Sequence, residues 1–261
     1  MKTRIIKSII TFLIVIYSSV LSAHEMWLEP ENFILKKNTE LRVNIKVGVD
    51  LAGDSYPYIR SETKNLRLFL DKTQIKLKHR DGDYPAIKSL LKKDGLYILS
   101  YQSSSEKVSY KSFSQFKSFL IEQNLWDYWS TKYPELINTQ IEETYTRYAK
   151  SLVQVDKRTG KDFNTNLNFE IIALNNPYIS TNKKKIQILV MYKNKPHINS
   201  QVTIFNKLNN KVTINKIKTN NQGKAFVDLK SKGLFLISCV HFIQDYPNWR
   251  SLWASLTFQK K

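Results

Sequence analysis

Short runs in which apolar and polar residues alternate, each closed off by turn-forming residues, recur on both sides of one stretch of different period. Arg42, Asn44 and Lys46 alternate with Val43, Ile45 and Val47, the two-residue rhythm of a strand with one buried face. Similar runs occupy 27–35, 66–70, 74–79, 96–101 and 107–110, with turn chemistry at 80–83 and 93–95. From 168 onward the pattern resumes at 168–174, 185–192, 201–206, 212–217, 224–229, 234–243 and 252–258. Asn209-Asn210 and the stretch 220–223 fall between these runs and predict hairpin turns. Seven short strands at this spacing have the size and rhythm of an immunoglobulin-like sandwich. In the last run Leu252, Ala254, Leu256 and Phe258 share one face, and Trp253, Ser255 and Thr257 the other.

Between 112 and 154 the spacing changes to three and four. Phe113, Phe116 and Leu120 form one set, and Ile137, Ile141, Tyr145, Tyr148 and Leu152 another, which predicts two helices parted near Tyr133-Pro134. The aromatics Trp126, Tyr128, Trp129 and Tyr133 crowd this stretch. Helices docked on a sheet account for them, and a carbohydrate-stacking platform is the alternative.

The first 23 residues set the compartment. Lys2, Arg4 and Lys7 precede an apolar run over 9–17, and Leu21-Ser22-Ala23 offers a small residue at a cut, the layout of a cleaved secretory signal. The run is far short of the roughly 20 residues a bilayer span needs, so the processed protein is expected in the periplasm and not across a membrane. The expected organisation is a signal peptide over 1–23, an N-terminal β domain over 24–155 with two helices at its end, a linker over 156–166 and an immunoglobulin-like sandwich over 167–261. The fold class is therefore mostly β with a helical insertion, in two sandwich-like domains.

Composition matters at this point because Lys and Arg number 41 against 22 acidic residues, a net charge of +19. Such an excess suits phosphate neutralisation, but an exported protein meets little nucleic acid, and no nucleic-acid partner is expected. The lysines are scattered through turns and exposed strand faces, a solvated surface favouring anionic envelope components. A single cysteine, Cys239, excludes an intramolecular disulfide framework and any Cys-cluster metal site.

Four histidines remain to be weighed. Cleavage after Ala23 would leave His24 first, where its amine and imidazole could chelate one ion; cleavage after Ser22 would abolish that chelate. The nitrogen pair suits copper, nickel or zinc better than calcium. His79 lies among Lys76, Lys78 and Arg80 and is expected at a solvated strand end, while His197 follows Lys195-Pro196 in an expected surface loop. His241 is different, lying inside the apolar run 234–242 on the same face as Cys239. A satisfied core histidine and a metal ligand are both open readings for it. No nucleophile elbow, phosphate loop or H-E-x-x-H is present, and Glu142-Glu143 do not face each other on a helix. The chain therefore reads as a binding protein rather than an enzyme.

Several segments resemble one family. The stretch His24-Glu25-Met26-Trp27-Leu28-Glu29-Pro30 is similar to the "A-H-[DE]-x-W-L-x-P" opening of NikM-like periplasmic proteins, a domain-of-unknown-function family once labelled as nickel-uptake components. The stretch 143–152 resembles its "E-x-Y-x-R-Y-A-K-x-L" segment, and 169–178 its "L-E-I-x-P-x-x-N-P-Y". Asn194-Lys195-Pro196 and the stretch 219–225 resemble its "G-K-P" and "T-D-x-x-G-x-A" turns. His241 and the stretch 249–258 resemble its "V-H-M … W-x-S-x-W-A-S-L-T-F" ending, with Phe242 in place of the usual Met. The resemblance implies a histidine at both positions reached by chemistry. The resulting expectation is an exported protein for nickel or copper handling or uptake, with His24 and His241 as metal ligands and a membrane transporter or envelope component as partner. A shared site requires the two imidazoles within about 8 Å, given bonds near 2 Å each. The alternative is a sandwich module binding an envelope glycan or protein through Trp126 and Trp129.

Overall fold

The computed structural model describes residues 24–179, 184–243 and 249–261; the expected signal peptide, 1–23, lies outside the described residues. Nine strands come first: β1 (Glu25–Pro30), β2 (Ile34–Leu35), β3 (Thr39–Val49), β4 (Ala52–Tyr56), β5 (Thr63–Leu70), β6 (Thr73–Ile75), β7 (Ile87–Leu91), β8 (Gly95–Ser103) and β9 (Glu106–Ser109). Helices α1 (Phe113–Glu122) and α2 (Trp126–Lys132) follow, then a 3-10 turn over Pro134–Leu136 and the long strand β10 (Glu142–Val155). The remainder is β11 (Phe169–Ala173), β12 (Lys185–Tyr192), β13 (Lys195–Pro196), β14 (Gln201–Leu208), β15 (Lys211–Lys218), β16 (Lys224–Asp228), β17 (Gly233–Ile243) and β18 (Trp249–Lys260). The mostly β, sandwich-like character with a small helical insertion matches the alternation in the sequence.

The strands stack as three layers. The central sheet has ten strands in the order β15-β14-β17-β18-β10-β8-β5-β6, with β2 and β9 also paired to β10. On one face lies the sheet β1-β3-β4 with β7, whose Leu28, Leu41, Val43 and Ile87 pack on Leu68, Tyr97, Leu99 and Val153. On the other face lies β11-β12-β13 with β16, whose Phe169, Ile171, Ile188 and Val227 pack on Ile98, Leu152, Ile237 and Leu256. The central sheet draws strands from both halves of the chain, and the seam is a parallel pairing of β10 with β18, from Glu143↔Trp249 to Ser151↔Thr257.

One sequence expectation is corrected. Residues 142–155, read with 137–141 as the second helix, form strand β10. Because β10 lies between two covering sheets, Tyr148 and Leu152 face one core while Ala149 and Val153 face the other. A strand buried on both faces has no polar side to alternate with, and its aromatic and aliphatic residues fell at helix-like intervals by coincidence. The second helix is instead α2, and both helices precede the last strand of the first half. Ser112 caps α1 by accepting from the Gln115 N–H.

The stretch 156–166 packs firmly against this scaffold. Lys150, fully buried in β10, reaches Asp162 Oδ1 at 2.8 Å, the Phe163 carbonyl at 3.0 Å and Glu170 Oε2 at 3.2 Å. Asn209 and Asn210 have φ of 49° and 62° and close the β14–β15 hairpin, as their type predicts. The 220–223 turn instead carries the chain out of the central sheet, since β15 pairs with β14 and β16 with β12.

Candidate metal site

His241 sits near the end of β17, paired with Leu252 of β18 and on the Cys239 face of its strand. His197 reaches it from the neighbouring sheet. β12 turns back at Lys193-Asn194, whose φ values of 47° and 60° fit the left-handed positions of a tight hairpin, and β13 returns with Met191 opposite Pro196. This register lets the His197 N–H donate to the Val190 carbonyl at 2.8 Å, while the His197 carbonyl accepts from Thr219 Oγ1 at 2.8 Å. The backbone of His197 is thus held from two sides.

The His197 and His241 rings lie 4.6 Å apart between centroids at 70°. Tyr192 stands 4.4 Å from His241, and Phe169 lies 5.3 Å from His197 and 6.0 Å from His241, so two aromatic walls flank the pair. Both imidazoles are half-buried. Burial pushes the His197 pKa below its ordinary value. For His241 burial, then His197 and Lys193, push it down to about 4. Both rings are therefore neutral at physiological pH, and a neutral imidazole presents one nitrogen lone pair to a metal. Bonds of about 2.0–2.1 Å from one ion to two ring nitrogens require those nitrogens within about 4 Å, and the ring centroids stand 4.6 Å apart. Imidazole donors suit copper, nickel and zinc. No group of three or more His, Cys, Asp or Glu side chains gathers around an ion-sized point among the described residues, so an ion on this pair would complete its shell with water or other small donors.

The structure does not bring His24 to His241. His24 begins the chain entering β1, and its carbonyl accepts from Arg147 Nη2 at 3.5 Å. Ser255 and Thr257 of β18 donate to the Met26 and Leu28 carbonyls at 2.7 and 2.6 Å, which places β1 on their side of the central sheet. His241 pairs with Leu252, on the opposite side with Ala254 and Leu256. β1 and the His241 ring thus lie on opposite sides of the central sheet, and the histidine whose ring meets His241 is His197.

Other residues singled out by sequence have structural roles. Cys239 is 1% exposed in the core and its thiol is pushed up to about 12 by burial, so it packs as an apolar group. Trp129 is fully buried, in ring contact with Phe116, Trp126 and Trp249, which removes it from any glycan-stacking surface. Glu143, also buried, accepts from Tyr110 Oη at 3.2 Å and Ser251 Oγ at 3.0 Å. Burial raises its pKa to about 7. His79, expected at a solvated strand end, is half-buried with its ring 4.2 Å from Tyr58.

Residues 21–242 match the family described as "Domain of unknown function (DUF4198)". No curated protein matches. Among solved structures the chain is similar, at 10% identity and a TM-score of 0.24, to a tetra-tandem repeat in the extending region of a large adhesion protein, covering 92% of this chain and 50% of that one. A second likeness, at 10% identity and a TM-score of 0.21, is to the Clostridium thermocellum CbhA fibronectin(III)-like modules, covering 89% of this chain and 94% of that one. At these scores neither likeness carries an argument about fold or site.

Proposed function

Since the chain belongs to the family of unknown function DUF4198, which supplies no chemistry of its own, we propose from its side chains that it is an exported protein that binds a copper or nickel ion. The carrying observation is the His197–His241 pair, two half-buried neutral imidazoles with centroids 4.6 Å apart. Both rings are neutral at physiological pH, so each keeps one nitrogen lone pair. The resemblance to NikM-like periplasmic proteins and the leader-like first 23 residues support the same reading. A site with only two protein donors leaves positions open for exchange, which suits taking up and handing on an ion to a transporter better than storing it.

Calorimetric titration of protein beginning at His24 with copper(II) or nickel(II) tests the proposal. One ion per chain is expected, bound more tightly for copper than for nickel in the usual order of divalent affinities. His241→Ala and His197→Ala should each weaken binding by at least about a hundredfold, more than loss of an outer-shell partner costs, while His24→Ala leaves it unchanged. Because His241 takes a proton only near pH 4, binding should survive at pH 5.5, where a free histidine is mostly protonated. Loss of binding in His24→Ala with none in His241→Ala would move the site to the N-terminal chelate. Mass spectrometry of the protein recovered from the periplasm, starting at His24 or Ala23, checks export.

A further inference from the structure

We infer that the protein has a second ligand site, a lysine-rimmed cleft beside β7 that takes a small anionic amphiphile with a single hydrocarbon chain. The cleft, about 690 Å³, opens between β7, paired among the described residues with β3 alone, and the β5–β6 hairpin that ends the central sheet. That volume falls within the ~300–1,000 Å³ of small-molecule sites. Its apolar lining comes from Leu70, Ile75, Leu90 and Tyr97, and Leu90 is 51% exposed.

Charge selects the ligand's other end. Lys76 and Lys78 approach from the segment after β6, Lys88 from β7, and Lys92 and Lys93 from the turn into β8. None of these five ammonium groups is ion-paired among the described residues. Of the two carboxylates in the lining, Glu40 is already bonded to Arg42 at 3.2 Å, leaving Asp71 alone against five lysines. Five like charges gathered around an apolar floor repel one another, and an anion relieves that repulsion while its hydrocarbon covers the leucines. A purely polar anion would leave the floor wet, and a neutral hydrocarbon would leave the charges unmatched. Tyr97 is fixed from below, its hydroxyl donating to the Lys93 carbonyl at 3.0 Å and accepting from the Lys93 N–H at 3.2 Å, so the floor and one rim lysine form a single preset unit. The site lies on different elements from the histidine pair and stands or falls separately.

Calorimetry with decyl phosphate below its micelle concentration, against inorganic phosphate and decanol, tests this. Decyl phosphate should bind one per chain, at least about tenfold more tightly than either control, and more weakly as salt rises. The double charge reversal Lys88→Glu/Lys92→Glu and, separately, Leu90→Asp should each cost about tenfold or more without changing the thermal midpoint or copper binding. Equal affinity for inorganic phosphate, or binding untouched by both variants, would overturn the proposal.

Discussion

His241 becomes a ligand candidate through what flanks it. Inside a strand of leucines and isoleucines its ring would be one more core group, but His241 lies two residues from the end of β17, and Tyr192 and His197 meet it there. The position of His197 in turn rests on Gly223. That residue has φ +70°, and a Cβ on it would come within 2.9 Å of Pro196 Cβ and 3.0 Å of the His197 nitrogen and the Val190 carbonyl oxygen. The last two are the donor and acceptor of the backbone hydrogen bond that sets His197. Gly223→Ala is therefore expected to destabilise by about 1–2 kcal/mol from the left-handed conformation alone and to weaken metal binding as His197 is pushed aside. Gly82→Ala is the control, since Gly82 has φ +85° with nothing within 4 Å of an added Cβ; it should lose stability and keep its metal. Urea unfolding and metal titration on both variants read the difference. At this scale His241 was legible in the sequence, as a basic side chain inside an apolar run. His197 was not, because its placement follows from the register of a hairpin and from a glycine 26 positions on, neither of which marks the residue itself.

Among the elements, β10 carries the most. It pairs with β18, β8, β9 and β2 and separates the two cores, so nearly every position along it is enclosed. Its one buried cation, Lys150, is neutralised by Asp162 and Glu170 and bonded to the Phe163 carbonyl. This triad joins β10 to β11 and to the 156–166 stretch. Asp162 has further partners in the Phe163 and Ala173 N–H groups at 2.8 Å each, whereas Glu170 Oε1 has no partner. Lys150→Met would leave two buried carboxylates without their cation, and removing one member of a buried ionic group costs about 3–5 kcal/mol. A fall of that size in unfolding free energy by urea titration is expected, with metal affinity of the folded fraction unchanged. A loss below about 1 kcal/mol, the range of exposed pairs, would mean that Lys150 is solvated in solution. The same enclosure explains why the sequence of β10 reads as a helix. Strands with one wet face, such as β3, declare themselves by alternation, while a strand with two dry faces has no polar residues to time the pattern, and only length and flanking turns separate it from a helix.

On the scale of the whole molecule, stacking three sheets leaves carboxyl groups where water cannot reach, and this gives stability a definite pH dependence. Glu25 is held uncharged by burial, its pKa raised from 4.5 to about 8; Glu122 and Asp50 raise it further and Arg147 lowers it. Glu143, among Tyr110 and Ser251, is raised from 4.5 to about 7. In both cases the folded state holds a proton that the unfolded chain has released, so their contribution is complete below pH 4.5 and is lost as pH rises through about 7 to 8. His241 acts in the opposite sense: unfolded it takes a proton near 6.5, folded only near 4, so its contribution is present above 6.5 and lost as pH falls toward 4. The two windows overlap below pH 6.5; above it the His241 contribution is complete, and Glu25 and Glu143 lower stability as pH rises. This pH dependence is hidden in the sequence, because Glu25 and Glu143 become buried only when strands far apart in the chain close over them, β1 against β18 and β10 against β9 and β18. Glu25→Gln and Glu143→Gln keep the shape and remove the titration. At pH 8.5 each should raise the melting temperature, by about 2–4 °C for every kcal/mol relieved, and at pH 5 each should change it little. A variant less stable than the parent at pH 8.5 would mean that the carboxylate is ionised and paired in the fold, with Arg147 the partner of Glu25, and scanning calorimetry at the two pH values decides between these outcomes.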